Sequence, residues 1–255
     1  MDKISDLNPT LAIVWFIATT IIYGFLKYFI GFIENDDTRA EPSYAVNLNM
    51  LLYGYLFFTI ISAFFINLDL TKQLCDTPQF YTAIFSTIIP WMLIFTTIIS
   101  LLKLFPGWLT PFSNTFGYGI SIIMGIKENF NKLLVENITG FNGIMLQAMT
   151  HISSDKSILI NEITEDNFEA FWNNLKPVFN TKIDSPTTAA LKSDILNIIR
   201  AKTIVSEVIW YLLTGLLIIS VSYNSIINTN CKKNLEDMKK AKLQYEINKY
   251  KEENK

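Results

Sequence analysis

The sequence predicts an all-α integral membrane protein. About four transmembrane helices are expected, with a membrane-embedded or re-entrant fifth segment and a small helical extramembrane domain. Charge segregation is the first observation behind this. Residues 7–26, 42–68, 77–102, 104–126 and 208–231 contain no Asp, Glu, Lys or Arg, and a helix needs roughly 20 apolar residues to cross a ~30 Å hydrocarbon core. Composition is the second: half of the 255 residues are hydrophobic and the mean hydropathy is positive. The third is the one long polar stretch, 127–203, lying between apolar runs. The boundaries that follow are 1–126 for a membrane bundle of three spans and a Pro/Gly-broken fourth segment, 127–203 for the helical extramembrane domain, 204–228 for the final span and 229–255 for a charged tail.

A net charge of −2 supplies no basic field for nucleic acid. Cys75 and Cys231 each lie beside an apolar run. A disulfide between them is open, but two unpaired thiols is the expectation. The opening Met1-Asp2-Lys3-Ile4-Ser5-Asp6 has no basic n-region, so the first apolar run is expected to remain as a span rather than be cleaved.

Span one is expected from about Leu11 to Ile33, started by Asn8-Pro9-Thr10. Lys27 near its end reads as a boundary lysine reaching for the interface; a functional intramembrane lysine is the sharper alternative. The following loop carries Glu34, Asp36, Asp37 and Glu41 against Arg39. It lacks the alternating ligand spacing of a calcium loop and reads as a solvated acidic turn. Span two is expected at Leu48 to Leu68 and span three at Tyr81 to Leu102. Pro90, inside span three, removes one helix hydrogen bond and predicts a kink.

Phe105-Pro106-Gly107-Trp108-Leu109-Thr110-Pro111-Phe112-Ser113-Asn114 breaks the chain out of span three. Pro106 and Gly107 make a turn, Trp108 suits an interfacial belt, and Pro111 opens a new helix. Pro106, Gly107, Trp108, Pro111, Phe112 and Asn114 are the candidate interaction motif. Ser113, Gly117, Ser121 and Gly125 recur every four residues and predict a small-residue face that lets another helix come close.

In the polar region Leu133, Leu134, Ile138, Ile144, Met145 and Met149 are available to pack. His151, the single histidine, has no ligand or base partners around it in sequence and reads as a surface residue. Asn137-Ile138-Thr139 is a glycosylation sequon. Thr164 is expected to cap a helix in which Phe168, Phe171, Trp172 and Leu175 form one apolar face, ended by Pro177. Ser185-Pro186-Thr187 opens the last helix. Its stripe Leu191, Ile195, Ile198, Ile199 and Val205 runs on into the final span at Val208 to Tyr223, so a single long helix is expected. Trp210, Tyr211 and Tyr223 are placed as aromatic belts and Glu207 at the span entrance. After Cys231 the tail holds Lys232, Lys233, Lys239, Lys240 and Lys242, with Glu236 and Lys240 spaced for an i,i+4 pair. Lysines beside a span favour the cytosolic side for the C-terminus, and four spans put the N-terminus with it.

No zinc-protease helix, nucleophile elbow, phosphate loop, dinucleotide fingerprint or paired-cysteine metal site occurs. No cofactor, no metal and no enzymatic activity are expected, with His151 and Glu207 as the residues an enzyme reading would need.

Phe105 to Tyr118, and Val208-Ile209-Trp210-Tyr211-Leu212-Leu213-Thr214-Gly215 through Ser220-Val221-Ser222-Tyr223-Asn224, resemble two signatures of one family. The chain is similar to the multi-span proteins of the internal membrane in large icosahedral double-stranded DNA viruses of eukaryotes. That resemblance implies a structural virion protein, linking the internal lipid membrane to the capsid shell and resident in host membranes during assembly. Its implied partners are the lipid bilayer and minor capsid or other virion membrane proteins; a homo-oligomer is left open, and no nucleic acid is expected. It implies no active-site residues. A channel or transporter is the alternative, motivated by Pro90 and the broken segment.

Overall fold

The computed structural model describes residues 8–33, 42–134, 160–180, 183–231, 239, 242–247 and 250–251. The acidic residues of the first loop, the sequon, His151, and the pair Glu236 and Lys240 all lie outside them. Among the described residues the structure is helical, with one isolated antiparallel bridge, Leu134 to Phe179. The main helices are α1 (Thr10–Ile33), α2 (Pro42–Cys75), α3 (Phe80–Leu104), α4 (Tyr118–Ile123), α5 (Ile126–Leu133), α6 (Phe168–Leu175) and α7 (Ser185–Ile227). Four of them, α1, α2, α3 and α7, are long and apolar enough to cross a membrane.

Each boundary has a local cause. Asn8 Oδ1 accepts the Thr10 backbone N–H at 2.9 Å and caps α1. At the start of α3 the Gln79 N–H donates to Thr71 Oγ1 of α2, 3.0 Å away. Pro90 has no N–H to give, and the chain answers with a π-turn over Trp91–Phe95 before resuming α-helix at Thr96. Asp184 precedes α7 and accepts the Thr187 N–H at 3.2 Å; hydrogen bonds from the Thr187 side chain and backbone hold its carboxyl below the usual carboxylate range. With 43 residues, α7 is about 65 Å long at 1.5 Å per residue, well beyond the ~30 Å a bilayer core requires.

The chain forms two compact units: Met1–Ile17, Leu56–Thr97 and Thr214–Lys255 make the first, and Ala18–Tyr55 and Ile98–Leu213 the second. In the first unit Phe16 meets Trp91 edge-on at 5.6 Å. The same ring lies so close against Gly215 that a Cβ there would run into it. Polar side chains tie the helices pairwise: Asn67 Nδ2 donates to Thr87 Oγ1 at 2.8 Å, and the Ser86 and Ser225 hydroxyls are 2.9 Å apart. Leu70 and Ile226 pack nearby, and Cys75 is joined to Cys231. The expectation of two unpaired thiols is therefore corrected. The ends of α2 and α7 meet, and a 156-residue separation gave no sign of that in sequence.

In the second unit a hydrophobic core joins α5, α6 and the first half of α7 through Phe130, Phe168, Trp172, Ile195 and Ile199. The apolar face Phe168, Phe171, Trp172 and Leu175 is thus turned onto other helices of the same unit. Thr164 does not cap α6. Its hydroxyl accepts from the Asn167 N–H at 3.3 Å while Asn167 Oδ1 accepts from the Thr164 N–H at 2.8 Å, and the helix starts only at Phe168.

The disulfide closes a long loop, and removing it releases chain entropy into the unfolded state. Cys75→Ser is expected to cost ~2–5 kcal/mol, read as a lower thermal midpoint of the detergent-solubilised protein. Reductant is expected to shift the wild type on a gel and leave the variant unmoved.

Candidate functional site

The break after α3 is a 3₁₀ turn, Pro106–Leu109, then a helical turn, Thr110–Phe112, then a π-turn, Ser113–Gly117, leading into α4. Residues 110–123 thus span ~21 Å at a helical rise, less than a bilayer core. Pro106, Gly107 and Pro111 are exposed, and Phe112 and Asn114 half-buried. Gly107 has open space where a Cβ would stand. Trp108 is tied down: its carbonyl accepts from Trp210 Nε1 at 2.8 Å, the two rings stack at 6.0 Å, and Phe112 meets Trp210 edge-on at 5.2 Å.

The four-residue ladder is not continuous. Gly117 faces α7 so closely that a Cβ would lie 2.6 Å from the Lys202 carbonyl oxygen. Ser121 is fully buried, and its hydroxyl donates back to the Gly117 carbonyl at 3.0 Å. Ser113 is half-buried in the π-turn. Gly125 leaves the ladder altogether, because it adopts φ +85° at the turn between α4 and α5, a conformation that favours glycine. The ladder assumed one unbroken helix, and the turn at 124–125 takes the fourth position away from it.

A second constellation brings together residues far apart in the chain. Glu207 of α7 is largely buried, with its side chain 12% exposed. It accepts from Tyr23 OH at 2.9 Å and is ion-paired with Lys27, both on α1; Tyr211 also hydrogen-bonds it. Tyr23 stacks on Tyr55 of α2 at 4.6 Å, and Tyr55 stacks on Tyr211 at 6.2 Å. The Tyr55 hydroxyl lies 2.9 Å from Thr20 Oγ1. A cavity of about 200 Å³ adjoins the group, lined also by Asn49 and Lys103. Two expectations change here. Lys27 does not reach outward but turns to Glu207 as its counter-ion, and Tyr211 is not on an outer surface but 3% exposed inside the unit. A carboxylate in such surroundings is stable only with a paired cation and hydrogen-bond donors, and Lys27 with the two tyrosines meets that need.

Two further cations on α7 face inward. Lys202 is 1% exposed, and its ammonium donates to the carbonyls of Ile160, Asn161 and Ile163 at 2.7, 3.2 and 3.2 Å. All three of its protons are used on carbonyls at the end of a helical turn, where a cation is favoured. Arg200 Nε pairs with Glu165 at 3.0 Å, while Nη1 donates to the Gly31 carbonyl and to Asn197. None of these contacts was visible in sequence. The isolated signal was Lys202, a cation standing within the apolar stripe of Leu191, Ile195, Ile198 and Ile199, whereas Arg200 lies on another face of the helix and gave none.

This arrangement holds helices together by buried ion pairs and hydrogen bonds. Among the described residues no three His, Cys, Asp or Glu side chains gather as metal ligands. Comparison of the chain with protein-family models, with curated proteins and with solved structures found no match.

Gly117 and Gly119 make a paired test of the α4–α7 contact. Gly117→Ala forces a Cβ into the Lys202 backbone and is expected to cost about 1–3 kcal/mol. Gly119, with open space around it, is expected to accept Ala without loss or with a small gain from helix propensity. Thermal midpoints of the two variants in one detergent check this; equal midpoints would contradict the close approach.

Proposed function

We propose that the chain is a structural membrane protein of a virus particle, whose apolar helices sit in the internal lipid membrane and whose polar helical region or tail links that membrane to the capsid shell. The observation that carries the reading is the meeting of the two family-like segments. Trp108 and Phe112 from one dock on Trp210 from the other, so the residues that carry the resemblance form a single aromatic contact.

The surface of the long helices supports the membrane part. Val14, Phe25, Phe57, Phe65, Phe85, Leu93 and Leu217 are exposed by more than half, and no more than 33% of any candidate span's apolar window is buried. Water-facing proteins seldom present apolar surface on this scale, whereas lipid tails are an apolar solvent for it. The short 106–123 segment fits a re-entrant or interfacial position, and the core around Phe130, Phe168 and Ile195 fits an extramembrane domain. The proposed setting is the virion's internal membrane, reached through host membranes during assembly, with capsid or other virion membrane proteins and a second copy of the chain as partners.

The Cys75–Cys231 bond bears on orientation. Disulfides persist in oxidising compartments, so the bond favours such a side for the lysine-rich tail, opposite to the orientation the lysines alone suggest. A membrane-impermeant reductant is then expected to open the bond in sealed vesicles displaying that side; protection there would restore the lysine-based orientation.

Transport is a second reading, favoured by the charged pair Lys27 and Glu207 beside a cavity. Reconstituted liposomes separate the two. The structural reading predicts vesicles tight to ions and small solutes, and a flux lost on Glu207→Gln would favour transport. Cross-linking mass spectrometry on intact particles tests the scaffold role directly. Links from 127–203 or from the tail lysines to capsid proteins are expected, and links confined to the chain itself or to other membrane proteins would count against it.

A further inference from the structure

Cys75 and Cys231 are the two cysteines of the chain. Their bond joins the last residue of α2 to the chain just beyond α7, within the first unit. It lies at a water-facing end of these helices, because Asp69, Lys72, Asp76, Asn228 and Asn230, close to it in the chain, are all exposed. The two halves of the bond differ. Cys75 is half-buried, and Leu70, Leu74, Tyr223 and Ile226 pack together in the turns before it. Cys231 is exposed and follows Thr229 and Asn230, which lie outside the helix.

A thiolate must reach the sulfur that it attacks, so access selects Cys231. Charge acts on the attacker in the same sense. Cys75 closes α2, where the helix dipole is negative, and Asp76 follows it directly. Both repel an incoming thiolate. They also make Cys75 the slower leaving group and, once it is freed, hold it as the thiol. Opening is therefore slow, but Cys75 is a weak resolving thiol, so an adduct on Cys231 persists.

We propose that Cys231 is a thiol-exchange site, at which a low-molecular-weight thiol such as glutathione opens the bond and remains as a mixed disulfide. The thiolate sulfur bonds to Cys231 Sγ, the Cys75–Cys231 bond breaks, and its electron pair leaves on Cys75 Sγ, which takes a proton from water. A second thiolate attacking the adduct's outer sulfur releases the oxidised thiol dimer and leaves both cysteines reduced. The helices do not depend on the bridge. The Ser86 and Ser225 hydroxyls, 2.9 Å apart, and the packing of Leu70 with Ile226 hold α7 without it, and a disulfide stabilises largely through the unfolded chain. The bond is thus a latch between α2 and the tail, shut while its side faces an oxidising compartment and open when it meets a thiol pool. This chemistry depends on the disulfide and not on a viral setting, so failure of the capsid cross-links leaves it standing.

The test is peptide mapping by mass spectrometry of the full-length protein in mild detergent, after reduced glutathione, an acid quench and N-ethylmaleimide. Glutathione is expected on the Cys231 peptide and maleimide on the Cys75 peptide. Glutathione on Cys75, or equally on both, overturns the site. So does the absence of an adduct at a glutathione concentration that opens the bond in the denaturant-unfolded protein. Single variants give a second reading with oxidised glutathione. Cys231 in Cys75→Ser is expected to react at least about threefold faster than Cys75 in Cys231→Ser, from access and helix-end charge together; equal rates contradict the asymmetry. The variants are less stable, so the wild-type map decides. Circular dichroism and hydrogen exchange over 66–74 and 222–227 are expected to be unchanged when the bond opens, and a loss of helix there would make the bond a brace instead of a latch.

Discussion

A carboxylate placed among apolar helices must be neutralised where it stands, and Glu207 sets that condition for the second unit. Its needs are met by Lys27 and Tyr23, one helical turn apart on α1, and by Tyr211 one turn further along α7. These bonds fix both the rotation and the register of α1 against α7. Once they are fixed, Tyr55 of α2 stacks between Tyr23 and Tyr211. Gly24 is brought so near α7 that a Cβ would stand 2.7 Å from Val208. Gly31 is brought so near that only a glycine leaves room for the Arg200 side chain, 2.6 Å from where a Cβ would lie. Dispersion alone would tolerate several rotations of two apolar helices in lipid, where burial offers little driving force between them. The polar pair selects one.

The same helix carries the other inward charges. Lys202 closes the carbonyl ends near 160–163, and Arg200 reaches Glu165 and the Gly31 carbonyl. Each lies beside the hydrophobic core of α5, α6 and α7, so α7 is at once a wall of that core and the source of its polar anchors. A 43-residue helix can do both because its apolar stripe continues without interruption from Leu191 into the charge-free run after Glu207. The aromatic contact of Trp210 with Trp108 and Phe112 then fastens the broken segment to the same helix.

Much of the architecture was legible in sequence because it depends on local pattern. Charge-free runs located α1, α2, α3 and the apolar part of α7, and the 3.6-residue period of Leu191, Ile195 and Ile199 indicated that α7 is unbroken. The spacing of Phe168, Trp172 and Leu175 marked α6. Partnership between distant elements was not legible. Lys27 and Glu207 are 180 residues apart, and nothing in either neighbourhood says that the other will face it; alone, each looks like an interfacial charge. Cys75 and Cys231 fail for the same reason. The small-residue ladder misled at Gly125 because a four-residue period is read as one helix, while a glycine can equally supply the left-handed residue that ends one. Tyr211 misled because an aromatic near a span end suits the interface as well as a buried polar cluster, and only the position of Glu207 one turn away distinguishes them.

A charge-swap cycle at Lys27 and Glu207 tests most directly whether this pair sets the packing of α1 on α7. Lys27→Glu and Glu207→Lys each leave two like charges facing one another, and the double variant restores one pair. Removing one partner of a buried pair costs about 3–5 kcal/mol, so each single variant is expected to melt well below the wild type in detergent. The double variant is expected to recover a large part of the loss. Losses that simply add in the double variant would mean that the two residues do not hold α1 and α7 in register, and that apolar packing alone selects the arrangement of these helices.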